Sequence, residues 1–158
     1  MPTIIDGSGS ADFQTPLPVS EGGTGSTVGA AYGRVVRTAG NITTTSTSLV
    51  DVTGATITLT TGAFPVAYGA AQSSSNSSLG PQTFFNVDID DTLQHGTSGM
   101  RVDSAVGGSP ANTSFSGQST ELTAAAHVIK MQWRVSTATG TIYMSAGTNH
   151  LFYAQEIR

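Results

Sequence analysis

The sequence predicts an all-β fold, and its composition is the first reason. Of its 158 residues, 43 are Ser or Thr, and Thr is a β-branched residue that favours strands. Charged residues make up only 10%, against roughly 25% in ordinary soluble domains. Long helices need Leu, Glu, Lys and Arg, yet Lys occurs once, at Lys130. Because 37% of the residues are hydrophobic, the chain can still build a core.

The clearest single element is a predicted strand over residues 126–135. Apolar and polar residues alternate there with a period of two, which is typical of a half-buried antiparallel strand. We predict that one face of this strand forms core or trimer contacts. That face carries His127, Ile129, Met131, Trp133 and Val135.

Shorter patterns predict the other strands, which are separated by turn residues at spacings near ten. Such spacing indicates a sandwich, a jelly roll or a barrel. Two segments rich in Ser, Gly, Pro and Asn, residues 72–80 and 107–119, are predicted to be loops. In chain order, the remaining strands are predicted at residues 34–38, 42–52, 56–60, 64–68, 84–93, 100–106, 141–146 and 150–157.

The first part of the chain differs from the rest, so we divide the sequence into residues 1–30 and a β domain at 31–158. Pro and Gly in the first part favour extended and turn conformations without a face to bury. It is either a disordered tail or an extended arm that becomes ordered on a partner. Its apolar residues favour the arm, with contacts expected at Ile4, Ile5, Phe13, Leu17 and Val19.

Charge and cysteine content exclude several classes of protein. The net charge is −4 and the six cations are not clustered, which argues against binding to nucleic acid or to an anionic membrane. Without Cys there are no disulfides, no thiol catalysis and no Cys-ligated metal. Neither a signal peptide nor a membrane-spanning apolar stretch is expected, so synthesis as a soluble protein in the cytoplasm is predicted.

No residue pattern indicates catalysis, a metal or another cofactor. Asp88, Asp90 and Asp91 with His95 lack the ligand spacing of a calcium loop. His127 alternates with apolar residues, which favours a core or interface histidine over a ligand. The sequence therefore predicts a protein that is not an enzyme, with no catalytic residues, no metal and no cofactor.

The shortage of charge also predicts assembly. Exposed sheet edges are usually protected by Lys or other charges, and such protection is nearly missing here. Small hydroxyl-bearing faces lose little hydration when they are buried against another subunit. We therefore expect a homo-oligomer, with closed symmetry as the default arrangement.

Two segments resemble parts of bacteriophage proteins. Residues 17–27, with the sequence LPVSEGGTGST, resemble a linker frequent in phage tail fibres and other virion surface proteins. Residues 127–136, 140–143 and 151–157 resemble the last strands of trimeric jelly-roll head domains of phages. Counted from residue 17 to 27 and from residue 127 to 157, the two segments span about 40 of the 158 residues.

This resemblance implies a non-enzymatic virion protein, made in the host cytoplasm, with an antiparallel jelly-roll-like sandwich and a homotrimeric state. One role is a capsid decoration, or cement, protein that clamps neighbouring copies of the major capsid protein. The alternative is a tail-fibre or receptor-binding tail component that contacts a host-surface receptor. The short length favours the first, since fibres usually carry a shaft. A carbohydrate-binding module is a third possibility, against which the predicted core position of Trp133 argues.

Overall fold

A computed structural model describes residues 30–78, 80–103, 109–144 and 149–158 of the chain. The all-β prediction is confirmed, because these residues form strands and turns without any helix. The described residues accordingly hold no helix long and apolar enough to cross a membrane. The strands are β1 (Tyr32–Arg37), β2 (Ile42–Thr44), β3 (Val50–Thr60), β4 (Val66–Asn76), β5 (Gln82–Ile89), β6 (Thr92–Leu93), β7 (Met100–Asp103), β8 (Ala111–Gln118), β9 (Ala126–Val135), β10 (Gly140–Tyr143) and β11 (His150–Glu156).

The first of two antiparallel sheets is organised around β4. Strand β8 pairs with one side of β4, while β11 and β10 pair in turn with its other side. Strand β1 then pairs with β11, and β2 pairs with β10. The sheet is therefore four strands wide along its whole length, although some of those strands are interrupted.

The second sheet has the order β3, β9, β5, with β6 and β7 both pairing with the far side of β5. A register shift between Asp51 and Thr56 interrupts the pairing of β3 with β9. Such an irregularity bends a strand and increases its twist. This sheet is also four strands wide, and all its pairs are antiparallel.

Both sheets contribute to one hydrophobic core. Trp133 on β9 lies parallel to Phe85 on β5, with ring centroids 6.2 Å apart. Phe115, from β8 of the first sheet, stacks on the same Phe85 at 5.9 Å. The apolar faces of the two sheets are thus buried together, which is what the alternating sequence patterns require.

Two predicted loops are wrong, since both contain strands. Residues 72–76 continue β4, and most of residues 107–119 form β8. These strands pair with each other, and Ser74 Oγ lies 3.3 Å from Thr113 Oγ1. Small hydroxyl-bearing residues are typical of loops when a segment is considered alone. Here they form strands because the partner strand supplies hydrogen-bond partners for them.

Two predicted strands are each divided. The segment at 42–52 breaks where Ser46 Oγ donates to the Ser48 carbonyl at 2.6 Å, a local bond that competes with strand pairing. The segment at 84–93 reverses at Asp90 and Asp91, which have φ values of 49° and 64°. Strand β9, in contrast, is confirmed with the bounds predicted from its alternation.

Truncating the central aromatic residue tests the shared core. Trp133 is 1% exposed, so we expect Trp133→Ala to lower the free energy of unfolding by about 3–5 kcal/mol. Urea unfolding at a fixed protein concentration measures this. The control is Thr58→Ala on the exposed side of the same sheet, expected to change stability by less than about 0.5 kcal/mol. Equal effects of the two substitutions would contradict the described core.

Candidate functional site

The outer side of the first sheet is almost free of charge. We call it the low-charge face, and within the described strands Arg34 is its one charged side chain. The other residues are Tyr, Val, Leu, Ala, Gly, Ser, Thr, Asn and Gln. The face consists of Tyr32, Arg34, Val36, Thr43, Ala67, Gly69, Ala71, Ser73, Ser75, Asn112, Ser114, Ser116, Gln118, Thr141, Tyr143, Leu151, Tyr153 and Gln155.

The outer side of the second sheet is different, because it carries several charged side chains. The register places Phe84 on β5 between Arg101 on β7 and Arg134 on β9. The Arg134 guanidinium lies 3.8 Å from the centre of the Phe84 ring, a cation–π contact. Further along β9, Lys130 Nζ lies 3.6 Å from Asp91. We call this side the charged face.

The two faces differ in what burial would cost. Charged groups lose much favourable hydration when they are buried without ideal partners. Hydroxyls and small apolar groups lose far less. The low-charge face is therefore the better suited of the two to contact another protein subunit over a large area.

A buried carboxylate joins both ends of the described chain to a loop. Glu156 is 1% exposed and accepts hydrogen bonds from the Gly62 amide at 2.6 Å and the Ala31 amide at 3.2 Å. Arg158 Nε donates to it at 2.9 Å. Burial alone would raise the pKa of Glu156, but these hydrogen bonds together lower it. The carboxylate therefore stays ionised and holds residue 31, where residues 1–30 join the strands.

A second polar contact at the same end involves His127. Its Nδ1 lies 2.5 Å from Asp90 Oδ2, and its Nε2 lies 2.9 Å from the Thr123 carbonyl oxygen. Both oxygens are acceptors, so the two bonds form together only with hydrogen on both ring nitrogens, which favours the imidazolium form. The bonds to Thr123 and to Asp90 accordingly raise the pKa of His127. The same bond lowers the pKa of Asp90, and Asp90 Oδ1 also accepts the Val128 amide at 2.8 Å.

His150 is another buried histidine, but its pKa is shifted in the opposite direction from that of His127. It is fully buried, its Nε2 lies 3.2 Å from Met131 Sδ, and its Nδ1 has no hydrogen-bond partner among the described residues. Burial, with a smaller contribution from the charge of Arg37, lowers the pKa of His150 to about 4. It is therefore neutral near pH 7.

His95, the third histidine, follows β6 of the second sheet and contacts two residues of the first sheet. Its Nε2 lies 3.3 Å from the Tyr68 hydroxyl, and its ring meets Phe115 edge-on. Burial lowers the pKa of His95. In the described residues no three His, Cys, Asp or Glu side chains are grouped as they would be to hold a metal ion.

The residues predicted as core or trimer contacts all lie inside this chain's own core. They lie on the same side of the second sheet as Phe85, toward the first sheet, and each is buried within the chain. Their exposed fractions are 5% for His127, 0% for Ile129, 0% for Met131, 1% for Trp133 and 0% for Val135.

The predicted arm contacts fall outside the described part of the chain. They are Ile4, Ile5, Phe13, Leu17 and Val19.

Two features of the structure are missing from the sequence prediction. Glu156 ends the inward-pointing series of β11, and an acid that continues the alternation of Phe152 and Ala154 is the signal that could have found it. The low-charge face depends on β4 and β8, whose Ser-rich sequences were predicted to be loops. No signal within those sequences alone identifies the face.

No known protein family matches this sequence, and no curated protein matches it either.

The two buried histidines predict an optimum in stability near pH 6.5–7. His127 has a raised pKa in the folded state, so its contribution is complete below pH 6.5 and is lost as the pH rises through that pKa. His150 has a lowered pKa, so the unfolded chain takes up a proton first as the pH falls from 6.5 to about 4. This costs about 3 kcal/mol over that range.

Urea unfolding between pH 4 and pH 9 measures both effects. His150→Leu should flatten the acid side of the profile and leave the alkaline side, whereas His127→Gln should do the reverse. A wild-type profile that is flat between pH 4.5 and pH 6.5 would contradict the assignment of His150.

Proposed function

We propose that this chain is a non-enzymatic structural protein of a bacteriophage virion, namely a homotrimeric capsid decoration (cement) protein. In this proposal the strands form the trimeric head on the capsid surface. Residues 1–30 form the arm that binds the major capsid protein, and the assembled trimer clamps neighbouring capsid subunits. The protein is made in the host cytoplasm and works in the virion.

The observation that carries the proposal is the contrast between the two sheet faces. A face of four strands with a single charged side chain lacks the charges with which proteins usually protect exposed sheet edges from association. The same face suits burial against identical subunits, while the charged face stays in water. This contrast supports assembly through the first sheet.

The strand order supports a jelly-roll sandwich. When β1 with β2, β6 with β7 and β10 with β11 are each counted as one interrupted strand, the chain has eight strands. The two sheets then have the orders 1-8-3-6 and 2-7-4-5 in that count. Eight strands in two four-stranded antiparallel sheets are typical of jelly rolls, which are common in viral capsid proteins.

The attachment of residue 31 supports the arm. The Ala31 amide donates to Glu156, and the Ala31 carbonyl accepts the Glu156 amide at 2.8 Å. A partner bound to residues 1–30 is thereby connected directly to the last strand of the head. Ordering such an arm costs conformational entropy, which the burial of its apolar residues would offset.

A tail-fibre or receptor-binding role is the second candidate, and the charged face favours it. Phe84 between Arg101 and Arg134 combines an aromatic ring with cationic donors, which suits an anionic group of a host-surface ligand. The linker-like segment at residues 17–27 also resembles those of fibres.

Removing the arm separates head folding from attachment. Deletion of residues 1–27 keeps Ala31 and its bonds to Glu156, so we expect the head to stay folded and trimeric while binding to undecorated capsid shells is lost. Sedimentation of the protein alone and co-sedimentation with shells measure the two properties. Undiminished binding by the truncated head would contradict the role of the arm, and a monomeric full-length protein at micromolar concentration would contradict the trimer.

Copy number distinguishes the two virion roles. A cement protein is expected in numbers comparable to those of the major capsid protein, whereas a tail component is present in few copies. Band intensities on a stained gel of purified virions give this ratio. A faint band would overturn the capsid assignment in favour of the tail.

A further inference from the structure

Strand β8 forms one edge of the first sheet, and its free side has no partner strand among the described residues. Exposed edges are usually short, charged or irregular. The edge formed by β1 and β2 is interrupted, as is that of β6 and β7, and β3 carries a register shift. Strand β8 instead pairs over eight consecutive residues without a shift and contains neither a charge nor Pro. It is therefore the described edge best suited to accept a further strand.

The backbone hydrogen bonds show which groups of β8 point away from β4. The Ser119 amide donates to the Val66 carbonyl at 2.9 Å, and bonded pairs in an antiparallel ladder recur at every second residue. Residues 111, 113, 115 and 117 therefore bond to β4. The amides and carbonyls of the other four residues point outward and have no hydrogen-bond partner among the described residues. These four are Asn112, Ser114, Ser116 and Gln118.

The core side of β8 is also incompletely covered. Phe115 stacks on Phe85 with ring centroids 5.9 Å apart, yet it stays partly exposed. Thr113 and Gly117 on the same side are partly exposed as well. On β4, one strand further from the edge, the opposite residue Ala70 is only 3% exposed. An additional strand with apolar side chains on this side would cover Phe115.

Residues 15–19, with the sequence TPLPV, have the pattern of an edge strand. Pro lacks an amide hydrogen, and within sheets it is confined mainly to edge strands, where that position faces solvent. Pro16 and Pro18 are two residues apart, so both positions fall on the same side of an extended segment. The amides of Thr15, Leu17 and Val19 all fall on the other side. Such a segment can pair along one side only, which suits the last strand of a sheet.

We propose that residues 15–19 add a fifth strand to the first sheet, parallel to β8 of the same chain and with Leu17 beside Phe115. In a parallel ladder, each residue bonds to the two residues that flank its opposite neighbour. The Leu17 amide then donates to the Ser114 carbonyl, and the Leu17 carbonyl accepts the Ser116 amide. The outward backbone groups of β8 thereby gain partners.

The prolines and the core together select the parallel direction. It places Leu17 and Val19, whose amides bond to β8, on the core side of the sheet together with Phe115. An antiparallel strand paired through the same amides would place these two side chains on the outer side, and would turn Pro16 and Pro18 toward the core. Only the parallel strand both forms the hydrogen bonds and covers Phe115.

The chain between this segment and the first strand has a suitable length. Ala31 bonds to Glu156, Glu156 pairs with Val66, and Val66 bonds to Ser119, so these four residues form one row across the sheet. A strand beyond β8 lies four strand spacings from β1, about 19 Å. Eleven flexible residues, such as the Gly-, Ser- and Thr-rich residues 20–30, have a root-mean-square length of about 17–20 Å.

This match in length favours the chain's own segment as the occupant of the edge. The effective concentration of a tethered segment is highest when the length of its linker matches the span. The inference goes beyond the proposed function and does not depend on it. Ile4, Ile5 and Phe13 stay outside the added strand, so they remain for contacts with a partner.

Amide hydrogen exchange followed by NMR tests the added strand. In the proposed register the amides of Ser114, Ser116 and Gln118 donate to residues 15, 17 and 19. Deletion of residues 1–27 should therefore speed their exchange at least about ten-fold. The outward amides of Arg34 and Val36, at the opposite edge of the sheet, are the control and should not change. Unchanged exchange at Ser114 and Ser116 after the deletion would overturn the inference.

An additional proline tests which side of the segment pairs. Leu17→Pro removes the amide that donates to the Ser114 carbonyl, so exchange at Ser114 and Ser116 should become as fast as in the deletion variant. Gln14→Pro is the matched control, because residue 14 has the same alternation as Pro16 and Pro18, and it should leave the exchange slow. Equal effects of the two substitutions would overturn the assigned side.

Cysteine cross-linking identifies the chain that supplies the strand, and the native sequence contains no Cys. Pro18 lies opposite Ser116 on the outer side, within disulfide range. Oxidation of Pro18→Cys with Ser116→Cys should give a monomer with increased mobility in non-reducing electrophoresis. Pro18→Cys with Val36→Cys is the matched control, because Val36 and Ser116 both lie roughly 17 Å from Ala31. It should cross-link far less.

The other cross-linking results would each overturn the inference. Covalent oligomers from Pro18→Cys with Ser116→Cys would assign the strand to another copy. Equal cross-linking with Ser116→Cys and Val36→Cys would show a segment that reaches both edges without pairing. Neither result would bear on the virion role, which copy number and binding to shells decide separately.

Discussion

Strand β4 is the constraint on which the rest of the structure depends. Its eleven residues pair with β8 along one side and with β11 and then β10 along the other. Its inner residues change from apolar at Val66 and Tyr68 to polar at Gln72 and Ser74. Its outer residues are all Ala, Gly or Ser, which lets the Tyr153 ring lie across Gly69. The hydrophobic core and the low-charge face thus share one strand.

This strand also marks how far the fold could be predicted from the sequence. Strand β9 was predicted with its observed bounds, because large apolar residues alternate with polar ones and only a half-buried strand explains that period. The second half of β4 and all of β8 were assigned to loops. Their Ser, Thr and Asn residues become strand only through the partner strand, and such long-range pairing leaves no local pattern.

The sequence predicted a surface poor in charge, but it did not predict which strands form that surface. Low charge correctly indicated a surface of hydroxyl and small residues, yet the alternation in β9 identifies a core strand and says nothing about which outer face lacks charge. That depends on where Arg101, Lys130 and Arg134 fall, and all three lie on the charged face of the second sheet. Register across strands decides this, and register is a property of the folded sheet.

A core built from a sequence this rich in polar residues also buries polar groups. The amide of Gln72, the hydroxyl of Thr83 and Nδ1 of His150 are buried without a hydrogen-bond partner among the described residues. Each such group opposes folding. The ionised contacts of Glu156 and His127 lie at one end of the sheets and connect loops there, so these two contacts are separated from the three unpaired groups.

The Glu156 contact also has a mechanical consequence. A pulling force applied through residues 1–30 enters the folded strands at Ala31, next to the hydrogen bonds of Glu156. When β1 is peeled away from this end, these bonds break before the six residue pairs between β1 and β11. Because the same carboxylate also holds Gly62 and Arg158, tension is shared with the β3–β4 loop and the last residue. The head would therefore resist peeling at the point where a tether attaches.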